Sequence, residues 1–130
     1  MRDLIFISAQ PNDLLFVWQL DIQLHNFKKL GLLDKYDYHI LVWNNLQRNP
    51  PKMFADEWYD LQIKYKDSRA KFFFYNEPSG SLNKCMATYG YPSLVRPWLL
   101  QQHFTAFPEL SQKALFYTDQ DVLFTKYPDF

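Results

Sequence analysis

One cysteine, three glycines and no surplus of either charge stand among 130 residues, and each shortage closes a class of function. Cys85 has no internal disulfide partner, and no second cysteine or nearby histidine gives zinc-ligand spacing, so it is expected unpaired and without zinc. Gly31, Gly80 and Gly90 lie far apart. Neither G-x-G-x-x-G nor G-x-x-x-x-G-K-[ST] exists, and backbone amides therefore offer no obvious phosphate cradle. Lys plus Arg equals Asp plus Glu at 14 each. The basic clusters Lys28-Lys29 and Lys64 to Lys71 are broken by acids and aromatics, which leaves no stripe for nucleic acid. No apolar run approaches the roughly 18 residues of a membrane helix. "LIFIS", close to the start, lacks the long apolar region and cleavage site of a signal peptide. A soluble chain is expected, with the cytoplasm favoured. His25, His39 and His103 are scattered through helix-like and strand-like contexts, and none is assigned a role.

What is present is apolar and ordered in blocks. Aromatic residues make up 19% of the chain, enough with leucine to fill the core of one domain. "DLIFIS" (Asp3 to Ser8) reads as a strand buried on both faces, and "YHILVW" (Tyr38 to Trp43), "KFFFYN" (Lys71 to Asn76) and "ALFYT" (Ala114 to Thr118) as three further strands. Between them, Asn12 or Asp13 caps a helix carrying Leu14, Trp18, Ile22, Phe27 and Leu30, which ends at Lys28-Lys29 and Gly31. A second helical pattern runs from Met53 to Lys66. A third helix is placed from about Arg96 to Phe104, with Pro97 in its first turn. The segment Glu77 to Tyr91 is the longest irregular stretch.

Strands alternating with helices predict an α/β fold, a Rossmann-like parallel sheet in the order 3-2-1-4 with helices on both faces. Such sheets bind ligands beyond the carboxyl ends of their strands. That rule selects Ser8-Ala9-Gln10, Asn44-Asn45, Asn76-Glu77 and Asp119-Gln120-Asp121. If the chain stays extended through the last of these, Asp119 and Asp121 leave one face and Gln120 the other. Two adjacent like charges need an offsetting cation or a set of donors. With no glycine cradle, a hard divalent ion, Mn²⁺ or Mg²⁺, would bind one or two carboxylates and the oxygens of a diphosphate.

A parallel domain that opens "LIFISAQPND" and reaches "LFYTDQDVLF" as its fourth strand resembles the nucleotide-sugar-binding N-terminal half of a GT-A glycosyltransferase. "PSLVRPWLLQQHF" shortly before that strand is loosely similar to the corresponding segment of hydroxyproline arabinosyltransferases. The resemblance implies a nucleotide-sugar donor, an unknown acceptor, and a metal held by Asp121, with Asp119 on the ribose or reaching the metal through water. It implies that Ser8, Ala9 and Gln10 line the nucleoside, that Asn44 forms a second wall, and that Arg96 approaches the sugar or diphosphate. Tyr89 and Tyr91 are weaker candidates, since most aromatics in this chain belong to the core.

A GT-A enzyme continues past its D-x-D into an acceptor-binding half, whereas nine residues follow Asp121 here. The expectation is a single nucleotide-sugar-binding domain over residues 1–130, incomplete at its carboxyl end, with transfer by the chain alone in doubt. Two rivals remain. A haloacid-dehalogenase-type phosphohydrolase also has a D-x-D after an apolar strand, but there the motif opens the domain. An α/β interaction module would use a protein partner to cover a truncated sheet edge.

Overall fold

The eight residues Leu4–Pro11 form strand β1, the centre of the computed structural model, which describes residues 3–44, 54–76 and 95–128. β2 (Asp37–Asn44) and β4 (Ala114–Tyr117) pair with β1 on its two sides, and β3 (Ala70–Asn76) pairs with β2. All pairings are parallel and the order is β3-β2-β1-β4. Helices α1 (Leu14–Lys29), α2 (Ala55–Lys64) and α3 (Val95–Ala106) make the crossovers. This is the Rossmann-like α/β arrangement that the alternation of blocks predicts.

Successive strand residues face opposite ways, so β1 and β2 feed two cores. Phe6, Tyr38, Ile40 and Val42 pack with Leu20, Leu24 and Phe27 of α1 and with Trp58 and Leu61 of α2. Ile7, Ala9, Leu41 and Trp43 pack with Val95 and Leu99 of α3. The six middle residues of both strands are buried, which is why neither shows a polar alternation in sequence.

β1 runs three residues, Ala9 to Pro11, beyond the apolar block that ends at Ser8. Ser8, Ala9 and Gln10 continue the ladder opposite Ile40, Leu41 and Val42, and Pro11, which has no N–H to donate, stands opposite Trp43 as the strand ends. They are strand interior, not the segment beyond the strand's carboxyl end that the sequence predicts. Asp13 then caps α1, its extended backbone at φ −145° and its carboxylate accepting from the Leu14 amide at 2.9 Å. Gly31, with φ +81°, ends the helix in the left-handed region that glycine tolerates.

The buried face of α1 also differs from the expected one. Val17, Leu20, Gln23, Leu24 and Phe27 face the sheet, while Trp18 and Ile22 are 60% and 61% exposed. The stripe through Leu14, Trp18 and Ile22 advances four residues at a time, which drifts about 40° per step around a helix of 3.6 residues per turn. The sheet instead selects the three-and-four spacing of Val17, Leu20, Leu24 and Phe27.

Behind α3, two histidines join in the core. His39 Nδ1 lies 2.9 Å from His103 Nε2, and the Tyr75 hydroxyl lies 2.6 Å from His103 Nδ1. The rings of Phe73 and Phe107 close over His103 at 4.6 and 5.0 Å. Burial pushes both imidazoles below their ordinary pKa. His103 falls to about 4, lowered further by His39; for His39, Asp37 acts upward and Lys71 downward.

Two outcomes follow from this packing. Leu24→Ala should cost about 2–5 kcal/mol in urea unfolding and Trp18→Ala no more than about 0.5 kcal/mol; the reverse ranking would restore the face expected from sequence. The histidine pair is neutral in the fold and protonates more readily when unfolded. Its contribution is therefore intact above about pH 6.5 and is lost as pH falls toward the folded value of about 4. Stability should drop by roughly 2–3 kcal/mol between pH 7 and 4.5, and His103→Gln should flatten that drop. An unchanged slope in the variant would assign acid sensitivity elsewhere.

Candidate functional site

Parallel strands bring their carboxyl ends to one edge, and there Asn44 stands opposite Asn76. The Thr118 amide donates to Ile7 O at 2.9 Å and extends the pairing of β4 with β1. Asp119 thus emerges level with the carboxyl half of β1. The side chains of Ser8, Ala9 and Gln10 lie beneath this rim, with at most 1% exposure, and Gln10 Nε2 donates to Leu41 O at 2.7 Å.

The residue that occupies the rim of β1 is Asn12, which the sequence offered only as a helix cap. Its amide donates to Trp43 O at 2.8 Å, its Nδ2 to Asn44 Oδ1 at 2.7 Å, and its Oδ1 accepts from Trp58 Nε1 at 2.9 Å. One side chain thereby ties β1, β2 and α2 together at the edge.

The D-x-D segment is not extended. Val122 N–H donates to Asp119 O at 3.2 Å, closing a turn with Asp119 as its first residue and Asp121 as its third. Gln120 is buried, Asp121 exposed, and Asp119 between the two. The expectation that alternation along a strand aligns the two carboxylates fails for this reason; a turn carries both instead.

Polar side chains on α1 hold that turn. Gln23 Nε2 donates to Asp119 O at 2.8 Å and to Val122 O at 2.9 Å, while the Tyr38 hydroxyl donates to Gln23 Oε1. Thr118 Oγ1 adds a third donor to Asp119 O at 3.0 Å. One step on, Asn26 exchanges two hydrogen bonds of 2.9 Å with the backbone of Phe124, and the Phe124 ring packs on Phe27 at 5.3 Å. Gln23 and Asn26 were missed by sequence reasoning; their one signal is an amide beside each apolar position of a buried helix face. Burial pushes the Tyr38 phenol far up, and Ser8 acts weakly downward, so Tyr38 stays protonated and donates.

Arg96, in the first turn of α3, places Nη1 3.2 Å from Asp119 Oδ1. The two side chains are 33% and 45% exposed, and the pair contributes at most about 1 kcal/mol. The approach is close enough for an ion pair but out of line for a hydrogen bond, since Asp119 Oδ1 is buried without a hydrogen-bond partner among the described residues. Ser8 Oγ, Gln10 Oε1, Trp43 Nε1, Gln120 Oε1 and, on α1, Gln19 Oε1 share that condition; Ser8 Oγ lies near the Tyr38 hydroxyl without completing a bond. Buried polar atoms are ordinarily satisfied, and unpaired ones point to water or ligand. All but Gln19 belong to the carboxyl half of β1 or β2 or to the turn after β4.

At the opposite edge the polar groups are largely matched. A cavity of about 400 Å³ opens there among Asp3, Lys35, Tyr36, Asp37, Arg69 and Lys113. Asp37 pairs with Arg69 at 2.8 Å and Lys71 at 3.3 Å, and Asp3 with Lys113 at 3.0 Å. Burial raises the Asp37 pKa, but the bonds from Arg69 and Lys71 more than offset it and hold the carboxyl below its ordinary value.

Among the described residues no group of three or more His, Cys, Asp or Glu side chains could hold a metal by itself. Two carboxylates on one turn, one with an unpaired oxygen, suit a hard cation that completes its shell with phosphate oxygens and water. Asn45, Glu77, Cys85, Tyr89 and Tyr91 lie outside the described residues. No family model matches the chain, and no curated protein or solved structure shows significant similarity to it.

Proposed function

We propose that this α/β domain binds a nucleoside-diphosphate sugar through a divalent metal, Mn²⁺ or Mg²⁺, as the donor-binding part of a GT-A-type glycosyltransferase. The observation that carries the reading is the Asp119–Val122 turn: two carboxylates and an arginine at the carboxyl edge of a parallel sheet, where such sheets take ligands, beside buried polar atoms with no partner among the described residues. When bound, a divalent ion supplies positive charge that stabilises the diphosphate leaving the sugar.

The chain's own groups divide the remaining work. Asp119 and Asp121 hold the ion. Arg96 is shared between the Asp119 carboxylate and an incoming phosphate; its part-exposed guanidinium is able to turn toward the second anion and form charge-assisted hydrogen bonds. The Asn12–Asn44 pair forms the rim on the nucleoside side. No helix among the described residues is long and apolar enough to cross a membrane. The acceptor and the catalytic base have no assignment.

A second reading, an interaction module, draws on one specific feature. β4 is an edge strand of four residues whose Leu115 and Tyr117 are 39% and 40% exposed, an apolar edge that a protein partner would cover.

Calorimetric titration of the chain with UDP, and separately with GDP, should give binding that depends on Mn²⁺. Asp121→Asn keeps the shape but loses the charge, and should weaken binding by at least about tenfold. Arg96→Ala should weaken it by roughly tenfold or less, as the loss of one phosphate contact among several. Nucleotide binding indifferent to both the ion and Asp121, or no binding at all, would sink the donor-site reading and favour the module.

A further inference from the structure

We propose that Gln23 is the positioning residue of the carboxylate turn, setting the ion affinity of Asp119 and Asp121 from inside the core. This rests on the donor-site reading and deepens it.

Gln23 is fully buried on α1. Both protons of its amide are committed, to Asp119 O at 2.8 Å and Val122 O at 2.9 Å, the first and last carbonyls of the turn. Its oxygen accepts from Tyr38, itself fully buried in β2. A flipped amide would aim its oxygen at two carbonyls, so Tyr38 and the turn together fix one orientation. The Asp119 carbonyl receives three donors, from Gln23, Thr118 and Val122, and is pinned toward α1 while its carboxylate meets Arg96 of α3.

Among the described residues Asp121 has no such anchor: it is exposed and follows the turn as the turn is held. Ion binding by two carboxylates from one short turn depends on their mutual placement, because an unpositioned pair must be ordered on binding and must overcome its own repulsion then. Outer-shell partners of metal ligands act in this way and are worth about 10- to 100-fold in affinity.

The test measures Mn²⁺ affinity of the full chain by electron paramagnetic resonance of the free ion, with and without UDP or GDP. Alongside it, amide hydrogen exchange is followed over residues 118–124. Gln23→Leu removes both donors; Gln23→Glu keeps the length and the acceptor for Tyr38 but loses the donors. Each should lower Mn²⁺ affinity about 10- to 100-fold and speed exchange within that segment. Gln23→Leu with Tyr38→Phe relieves the orphaned hydroxyl and should recover stability, yet its ion affinity should stay low, which a purely structural role would not produce.

Wild-type affinity in the Gln23 variants, with binding abolished by Asp121→Asn, overturns the positioning role and leaves the donor-site reading standing. Affinity that returns with stability in the double variant overturns the role as well. A wild-type chain that binds neither ion nor nucleotide overturns both.

Discussion

β1 has a hydrogen-bonded neighbour on each side and helices on each face, so six consecutive residues are closed to water. The polar members of that run, Ser8 and Gln10, cannot reach solvent sideways. Hydrogen-bonding capacity is therefore displaced toward the strand ends, where backbone groups leave the ladder and must find other partners. The two edges of the sheet meet this demand differently. At the amino edge, acids meet bases one to one or one to two, around Asp3 and Asp37. At the carboxyl edge amides and hydroxyls stand with two carboxylates and one arginine, and several buried atoms have no partner among the described residues.

Amide side chains take over where the ladder stops. Asn12 continues it between β1 and β2, Gln23 closes the turn after β4, and Asn26 offers Phe124 the donor and acceptor of a neighbouring strand. An amide carries both functions without charge, so it can be buried at lower cost than a carboxylate or an ammonium. α1 consequently does more than cover the sheet: its apolar stripe grips Phe6 and Tyr38, and its amides shape the segment that carries both aspartates.

Arg96 and Asp119 come from different elements, α3 and the exit of β4, and meet because α3 packs on β1 and β2 through Val95 and Leu99. Their partial exposure keeps the pair weak. The histidine pair on the same face is the opposite case. It is sealed by Phe73 and Phe107 and held neutral, a core feature whose chemistry is confined to acid.

The sequence by itself determined the alternation of strands and helices, the strand order and the edge where the D-x-D emerges. Those follow from local apolar runs, from caps such as Asp13 and Gly31, and from the handedness of parallel crossovers. Tertiary structure decided the rest. It chose which face of α1 is buried, since the sheet meets Val17 and leaves Trp18 to solvent although both fit an apolar helical stripe. It drew Ala9 and Gln10 into β1, because a neighbouring strand offered them partners. It also bent Asp119 to Val122 into a turn, because Gln23, 96 residues from Asp119 along the chain, takes the carbonyls that an extended strand would leave unpaired. Bonds across that separation leave no periodicity in a sequence, and the placement of both carboxylates depends on them.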